Sequence, residues 1–151
     1  MTVTVGINGF GRIGRCTLAH IAESGRNDVH VVKLNATGPI ETNAHLLRYD
    51  SVHGRFGGNV AVNGNSIDLG RGPIEVMSTY DPTELDWSGC DVVLECTGKF
   101  NDGKTSAVHI QQGAKSVLIS AQKTVSDHHK EKILSHQTSV DLVRAFILYI
   151  M

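Results

Sequence analysis

The chain has little cysteine, proline or aromatic character. Its 151 residues include 3 cysteines and 3 prolines, and Phe, Trp and Tyr together make up 5%. Cys16, Cys90 and Cys96 are an odd, scattered set with no C-x-x-C pair. That excludes a disulfide framework and points to a reducing cytoplasm. Neither sign of charge dominates, since 14 basic and 15 acidic residues leave a net charge of −1. A polybasic nucleic-acid binder is excluded on bulk charge, and no aromatic platform for stacked bases is visible. The longest late apolar run, Ala145 to Met151, is too short to span a bilayer. Met1 to Gly6 shows no basic stretch followed by an apolar one, so neither a secretory leader nor a membrane anchor is expected. There is no internal repeat and no low-complexity tract. With 40% hydrophobic residues, one packed domain is expected.

Glycine, in contrast, is abundant. All 16 glycines fall within the first 121 residues, clustered as specific turns. Val3, Val5 and Ile7 read as a buried strand running into Gly9-Phe10-Gly11-Arg12-Ile13-Gly14. A helix is expected after Gly14, with Ile13, Leu18 and Ile21 as its inner face and Gly25 as its stop. Val29 to Leu34 reads as a second strand, which completes a right-handed βαβ unit. A G-x-G-x-x-G run between a strand and a helix is the dinucleotide-binding fingerprint. Gly9 permits the tight turn, Gly11 lets a pyrophosphate approach the backbone, and Gly14 allows close helix–strand packing. The helix N-terminus adds free N–H groups and a positive dipole end.

Further along, Pro39 opens a helical pattern through Leu46 and Leu47. Val60 to Leu69 reads as a hairpin turning at Asn63-Gly64. Ile74 to Met77 is a short strand, and Asp81-Pro82 opens a turn or short helix near Trp87. Asp91 to Cys96 reads as a buried strand ending at Thr97-Gly98. Lys104 to Gln112 reads as a helix stopped by Gly113, and Ser116 to Ser120 as a further strand. The fold class is therefore α/β: a Rossmann-like, doubly wound, mostly parallel sheet with helices on both faces.

Four ordered segments carry a resemblance. They are Val5 to Arg15, Tyr49-Asp50-Ser51-Val52-His53-Gly54-Arg55-Phe56, Glu95-Cys96-Thr97-Gly98-Lys99-Phe100, and Gly113 through Ala121. Together they resemble the N-terminal part of phosphorylating glyceraldehyde-3-phosphate dehydrogenases, with erythrose-4-phosphate dehydrogenases as close relatives. The resemblance implies an NAD or NADP cofactor. It implies that Arg12 and Ile13 meet the pyrophosphate through their backbone and that Asn8 shapes the same loop. Asn35, Thr97 and Gly98 would lie along the cofactor and Ser120 near the nicotinamide, with Phe10 and Phe100 as packing residues. The candidate cofactor set is thus Asn8, Gly9, Gly11, Arg12, Ile13, Gly14, Asn35, Thr97, Gly98 and Ser120, with no metal site.

The sequence departs from the family pattern in three places. The usual Asn-Asp after the second strand is Asn35-Ala36 here. The acid would hold the adenosine ribose and repel a 2′-phosphate. Its absence lowers a barrier to NADP, with Lys33 or Thr37 left to assist. Tyr80 stands where an arginine is common, and it reads equally as a stacking or a merely exposed residue. The motif Ser-Cys-Thr-Thr-Asn, which bears the nucleophilic cysteine, is absent. The three cysteines read as structural, so no catalytic residue is assigned and the chain alone is expected to be inactive.

The resemblance stops after Ala121. Residues 1–121 are read as the dinucleotide-binding domain and 122–151 as a divergent tail, helical by pattern and without glycine or proline, the catalytic domain being absent. Leu142 to Ile150 fits a helix or a strand, and either would cover the sheet edge. His128, His129 and His136 read as solvated polar residues. The family is homotetrameric, but most of that interface belongs to the absent domain. Besides the enzyme-lineage reading, a nucleotide-binding module and a fragment that associates with full-length subunits remain open.

Overall fold

A computed structural model describes residues 2–50 and 54–120. The expected tail at 122–151, its three histidines, and Ser51 to His53 of the second family-like segment lie outside the described residues. The elements begin with β1 (Val3–Asn8), α1 (Arg12–Glu23), β2 (Val29–Asn35) and α2 (Ile40–Arg48). A two-residue ribbon of β3 (Tyr49–Asp50) and β4 (Gly54–Arg55) follows. Then come β5 (Ala61–Asn63), β6 (Ser66–Asp68), β7 (Pro73–Met77), a 3₁₀ turn at Pro82–Glu84, and β8 (Val92–Glu95). The described part ends with α3 (Gly103–Ser106), α4 (Val108–Gln111) and β9 (Ser116–Ile119).

Seven strands form one sheet in the order β5-β6-β7-β2-β1-β8-β9. From β7 to β9 the pairings are parallel, while β5 and β6 add an antiparallel edge. The chain moves from β1 to β2 on one side and later to β8 on the other. The order therefore reverses at β1, and a crevice opens there outside the carboxyl ends of the strands.

The pleat divides the core in two. Val5, Ile7, Val31 and Leu34 face α1 and α2, joined by Leu18, Ile21, Ala44 and Leu47. Ile7 and Leu34 have no exposed surface, and burying each contributes roughly 1.5–3 kcal/mol. On the opposite face, Val93 packs with Leu85, Trp87, Cys90 and Ala114. Gly6 lies under the indole, where a Cβ would stand 2.7 Å from Trp87 Cε3. This second face is covered by the Leu85–Cys90 segment and the short α4 rather than by a long crossover helix.

Several local expectations shift. Helix α1 starts at Arg12, inside the glycine run, and buries Gly14, Thr17, Leu18 and Ile21. That stripe leaves Ile13 off the inner face, and it is 49% exposed. The helix expected over 104–112 breaks at Ala107. The Ser106 hydroxyl donates to the Asp102 carbonyl at 2.8 Å, a back-bond that bends helices. The next turn tightens, with Ile110 N–H donating to Ala107 O at 3.1 Å. Cys96 lies one residue beyond β8 rather than on it.

The hairpin closes one residue later than Asn63-Gly64 suggested. Asn63 pairs with Ser66 inside the ladder, and Gly64 takes the positive φ of +58°. A side chain in that left-handed conformation is strained. Gly64→Ala should lower stability by about 1 kcal/mol, read as a shift of the urea midpoint with an unchanged slope. No shift would mean that the turn relaxes without cost.

Candidate functional site

The glycine run builds the floor of the crevice. Gly9 turns the chain out of β1 at a φ of +95°, and a Cβ there would meet Thr97 N at 2.7 Å. The turn is thus pressed against the loop after β8. Gly14 sits so close to the turn that its Cβ would fall 2.2 Å from Gly9 O. Gly11 is the opposite case, because a Cβ there would meet nothing within 4 Å. Its carbonyl accepts the first α1 hydrogen bond, from Arg15 N–H at 3.0 Å. The N–H groups of Arg12, Ile13 and Gly14 precede that bond and remain available to a ligand.

Above this floor lies a groove of about 410 Å³ at the carboxyl ends of β1, β2, β7 and β8. Asn8, Gly9, Gly11, Asn35 and Thr97 of the expected cofactor set line it, together with Phe10, Thr37, Tyr80, Lys99 and Phe100. Arg12, Ile13, Gly14, Gly98 and Ser120 are not among its lining residues. Arg12 and Ile13 stand exposed at the start of α1, and Gly98 and Ser120 are exposed at the ends of β8 and β9. The described lining includes the cations Arg15 and Lys99 and no carboxylate. Arg15 Nη1 donates to Phe10 O at 2.9 Å, tying the cation to the glycine turn.

Tyr80 is 79% exposed, and Lys99 Nζ lies 5.3 Å from its ring centroid. The two form one rim of the groove. Ala36, in contrast, is buried in the core, and its N–H donates to Met77 O at 2.9 Å. Thr37 is the residue that reaches the groove. Lys33 does not serve there, because its Nζ donates to Asp86 Oδ2 at 2.7 Å and to Asp86 O at 3.0 Å. Burial alone would lower the Lys33 pKa, but the Asp86 hydrogen bond and charge raise it. The ammonium is held in that ion pair, away from the groove.

Beneath the wall runs a buried polar network. Thr79 N–H donates to Asn35 Oδ1 at 3.1 Å, and Asn35 Nδ2 donates to Asn8 Oδ1 at 2.8 Å. Asn8 Nδ2 in turn donates to Glu95 Oε2 at 2.6 Å. From the other side, Trp87 Nε1 donates to His109 Nδ1 at 3.1 Å, and His109 Nε2 lies 2.9 Å from Glu95 Oε2. Thr97 N–H donates to Glu95 Oε1 at 2.7 Å, and the Thr97 hydroxyl donates to the same oxygen. Asn8, Glu95, Trp87 and His109 are all buried.

The direction of each bond is forced. An indole N–H only donates, so His109 Nδ1 must accept and its single proton sits on Nε2. Asn8 Nδ2 is 3.4 Å from that nitrogen, but both are donors and both serve the carboxylate. Burial pushes the Glu95 pKa up. Hydrogen bonds from His109, Thr97 and Asn8 outweigh it and hold the carboxyl below its usual value. Glu95 is therefore an ionised carboxylate satisfied entirely by donors.

The thiols behave in the opposite way. Burial pushes Cys90 up to about 11. Burial also pushes Cys96 up to about 11, with the nearby Glu95 charge adding to it against a Ser120 hydrogen bond. Cys16 is raised mainly by burial as well. An activated nucleophile needs a lowered value. All three cysteines are free of disulfides.

Sequence reasoning missed Glu95, His109 and Lys99 as parts of the site. A charged residue within the apolar run Asp91 to Cys96 was a readable signal for Glu95. Nothing in the helical pattern singled out His109.

The chain matches the family model described as "Glyceraldehyde 3-phosphate dehydrogenase, NAD binding domain" over residues 3–103. It is 56% identical over 121 residues to a glyceraldehyde-3-phosphate dehydrogenase of Cereibacter sphaeroides, covering 80% of this chain and 36% of that one. The Xanthobacter flavus enzyme is 55% identical over 129 residues, with coverage of 84% and 38%. That of Geobacillus stearothermophilus is 46% identical over 123 residues, with coverage of 80% and 36%. The chain therefore spans a little over a third of the length of these relatives.

Proposed function

The chain belongs to the glyceraldehyde-3-phosphate dehydrogenase family through its NAD-binding domain, and from that membership we propose that the groove over Gly9, Gly11 and Thr97 binds NAD or NADP. The observation that carries this reading is the pairing of an open Gly11 with a groove lined by cations and no described carboxylate. A pyrophosphate needs both, namely backbone N–H groups it can approach and no competing anion. Arg12, Ile13 and Gly14 supply the N–H groups at the start of α1. Asn8, Asn35 and Thr97 form the wall, Gly98 follows it, and Ser120 marks the nicotinamide end. When bound, the nicotinamide ring supplies a hydride acceptor.

This chain's own residues bind and orient, and they do not attack an aldehyde. Its three thiols are held protonated by burial, and no Ser-Cys-Thr-Thr-Asn segment is present in the sequence. Joined to a substrate domain, the fold would serve oxidative phosphorylation of glyceraldehyde 3-phosphate to 1,3-bisphosphoglycerate. The three cysteines, none of them in a disulfide, fit a reducing, cytoplasmic setting.

The adenosine end discriminates weakly between the two cofactors. Ala36 offers no carboxylate to repel a 2′-phosphate, and Lys99 is a groove cation without a hydrogen-bonded acid among the described contacts. Calorimetric titration of the full chain should show binding of both NAD and NADP, with dissociation constants within about tenfold of each other. A hundredfold preference for NAD would refute the weak discrimination. Failure to bind either one in a folded, monodisperse sample would refute the dinucleotide reading itself.

A further inference from the structure

The buried network converges on one centre, the Glu95 carboxylate. Glu95 Oε2 receives Asn8 and His109, and Oε1 receives the N–H and hydroxyl of Thr97. Asn8 and Thr97 line the groove, whereas Glu95 and His109 do not. We propose that Glu95, with neutral His109 as its Nε2–H donor, is a positioning residue for dinucleotide binding that acts through Thr97 and Asn8; this rests on the dinucleotide reading of the groove.

The physical case is one of orientation. Asn8 has two interchangeable amide ends, and Asn35 takes its oxygen while Glu95 takes its nitrogen. A neutral acceptor at position 95 could not receive four donors on two oxygens. The carboxylate therefore sets which face Asn8 shows. It also folds the Thr97 turn back over the end of β8, against the Gly9 turn. His109 takes part of the negative charge and is itself oriented by Trp87 and by the edge of Phe100, whose ring centroid lies 5.7 Å away. A carboxylate so close to an anion site would repel its ligand if bare. Here each oxygen is capped by donors, and the groove face of the wall presents Thr97 and Asn8 rather than Glu95.

The test uses the full chain and NAD. Glu95→Gln keeps the shape but brings an NH₂ against donors. It should weaken NAD binding at least about tenfold, the scale of a hydrogen bond to a charged group. Hydrogen exchange of the Thr97 amide should speed up by a similar factor. The Cys96 and Ser120 amides, which donate to the backbone oxygens of Asn8 and Glu95, should keep their rates and so separate local loosening from general instability. His109→Gln retains a donor and should bind NAD within about threefold of the unmodified chain, whereas His109→Leu should lose affinity as Glu95→Gln does. This pair decides the matter if Glu95→Gln does not fold. Nitrogen NMR of the unmodified chain at neutral pH should find His109 as the Nε2–H tautomer. Unchanged affinity in folded Glu95→Gln, equal loss in both His109 variants, or a protonated Nδ1 would overturn the positioning role alone. No NAD binding by the unmodified chain would overturn the dinucleotide reading and this role with it.

Discussion

Gly14→Ala should abolish dinucleotide binding and destabilise the fold together, whereas Gly11→Ala should abolish binding and leave the fold nearly intact. The two glycines sit three residues apart in one motif, yet their surroundings differ. A Cβ on Gly14 would stand 2.2 Å from Gly9 O and 3.3 Å from Ile7 Cγ2. The oxygen belongs to the backbone, so relief requires moving the turn or backing α1 off the sheet. Overpacking of this kind costs about 3 kcal/mol, and the displaced turn loses its ligand geometry. A Cβ on Gly11 meets nothing within 4 Å, and its φ of −70° suits any residue. The stability cost is that of exchanging glycine for alanine at a helix N-cap, about 0.5–1 kcal/mol. The methyl group would nevertheless occupy the space through which a pyrophosphate approaches the backbone. Urea unfolding and NAD titration on both variants separate the two effects. A Gly11→Ala protein that binds NAD as the unmodified chain does would place the pyrophosphate elsewhere.

Glu95→Ala should be the most destabilising single substitution in the polar core, at about 3–5 kcal/mol, the sum of several stranded donors at about 1–3 kcal/mol each. The loss is not mainly that of a favourable pair. It comes from stranding buried donors on Asn8, His109 and Thr97 without an acceptor. The effect should depend on pH. The folded-state pKa of Glu95 lies below its ordinary value, so the ionised group stabilises the fold above about pH 4.5. That contribution disappears as pH falls through the folded-state value. The stability gap between the unmodified chain and Glu95→Ala should therefore be full near neutral pH and shrink in acid. A gap that stays constant from pH 7 to pH 4 and below would mean that the carboxylate's charge contributes nothing.

The parts of the fold that could be read in advance are those dictated by local chemistry. Val3 to Ile7 and Val29 to Leu34 are β-branched runs, and both are central parallel strands. The glycine run announced its turn because a φ of +95° and a 2.2 Å approach leave glycine as the only side chain that fits. Boundaries fared less well. Ile13 looked like a core residue because its spacing fits a helix beginning later. The true start at Arg12 turns it to solvent. The helix over 104–112 breaks because Ser106 bonds back to Asp102, which helical periodicity does not reveal.

The candidate site divides in the same way. Asn8, Gly9, Gly11 and Thr97 are at strand ends, where an α/β sheet places a ligand, and their residue types suit an anion. Lys33, two residues before Asn35, looked available to a 2′-phosphate. It shares the Asn35 face of β2, but it is held back by Asp86, 53 positions away in the sequence. Lys99 reaches the groove rim instead.

From sequence alone came the strand–turn–helix order, the identity of the glycine turn and the family resemblance, because each is set by residues within a few positions of one another. Only the tertiary structure decided that Glu95 is the centre of a donor network and that His109 is neutral with its proton on Nε2. Those states depend on Asn8, Trp87 and Thr97 arriving from three different elements. The direction of a hydrogen bond, and with it the charge of a buried group, is fixed by what stands opposite it in space.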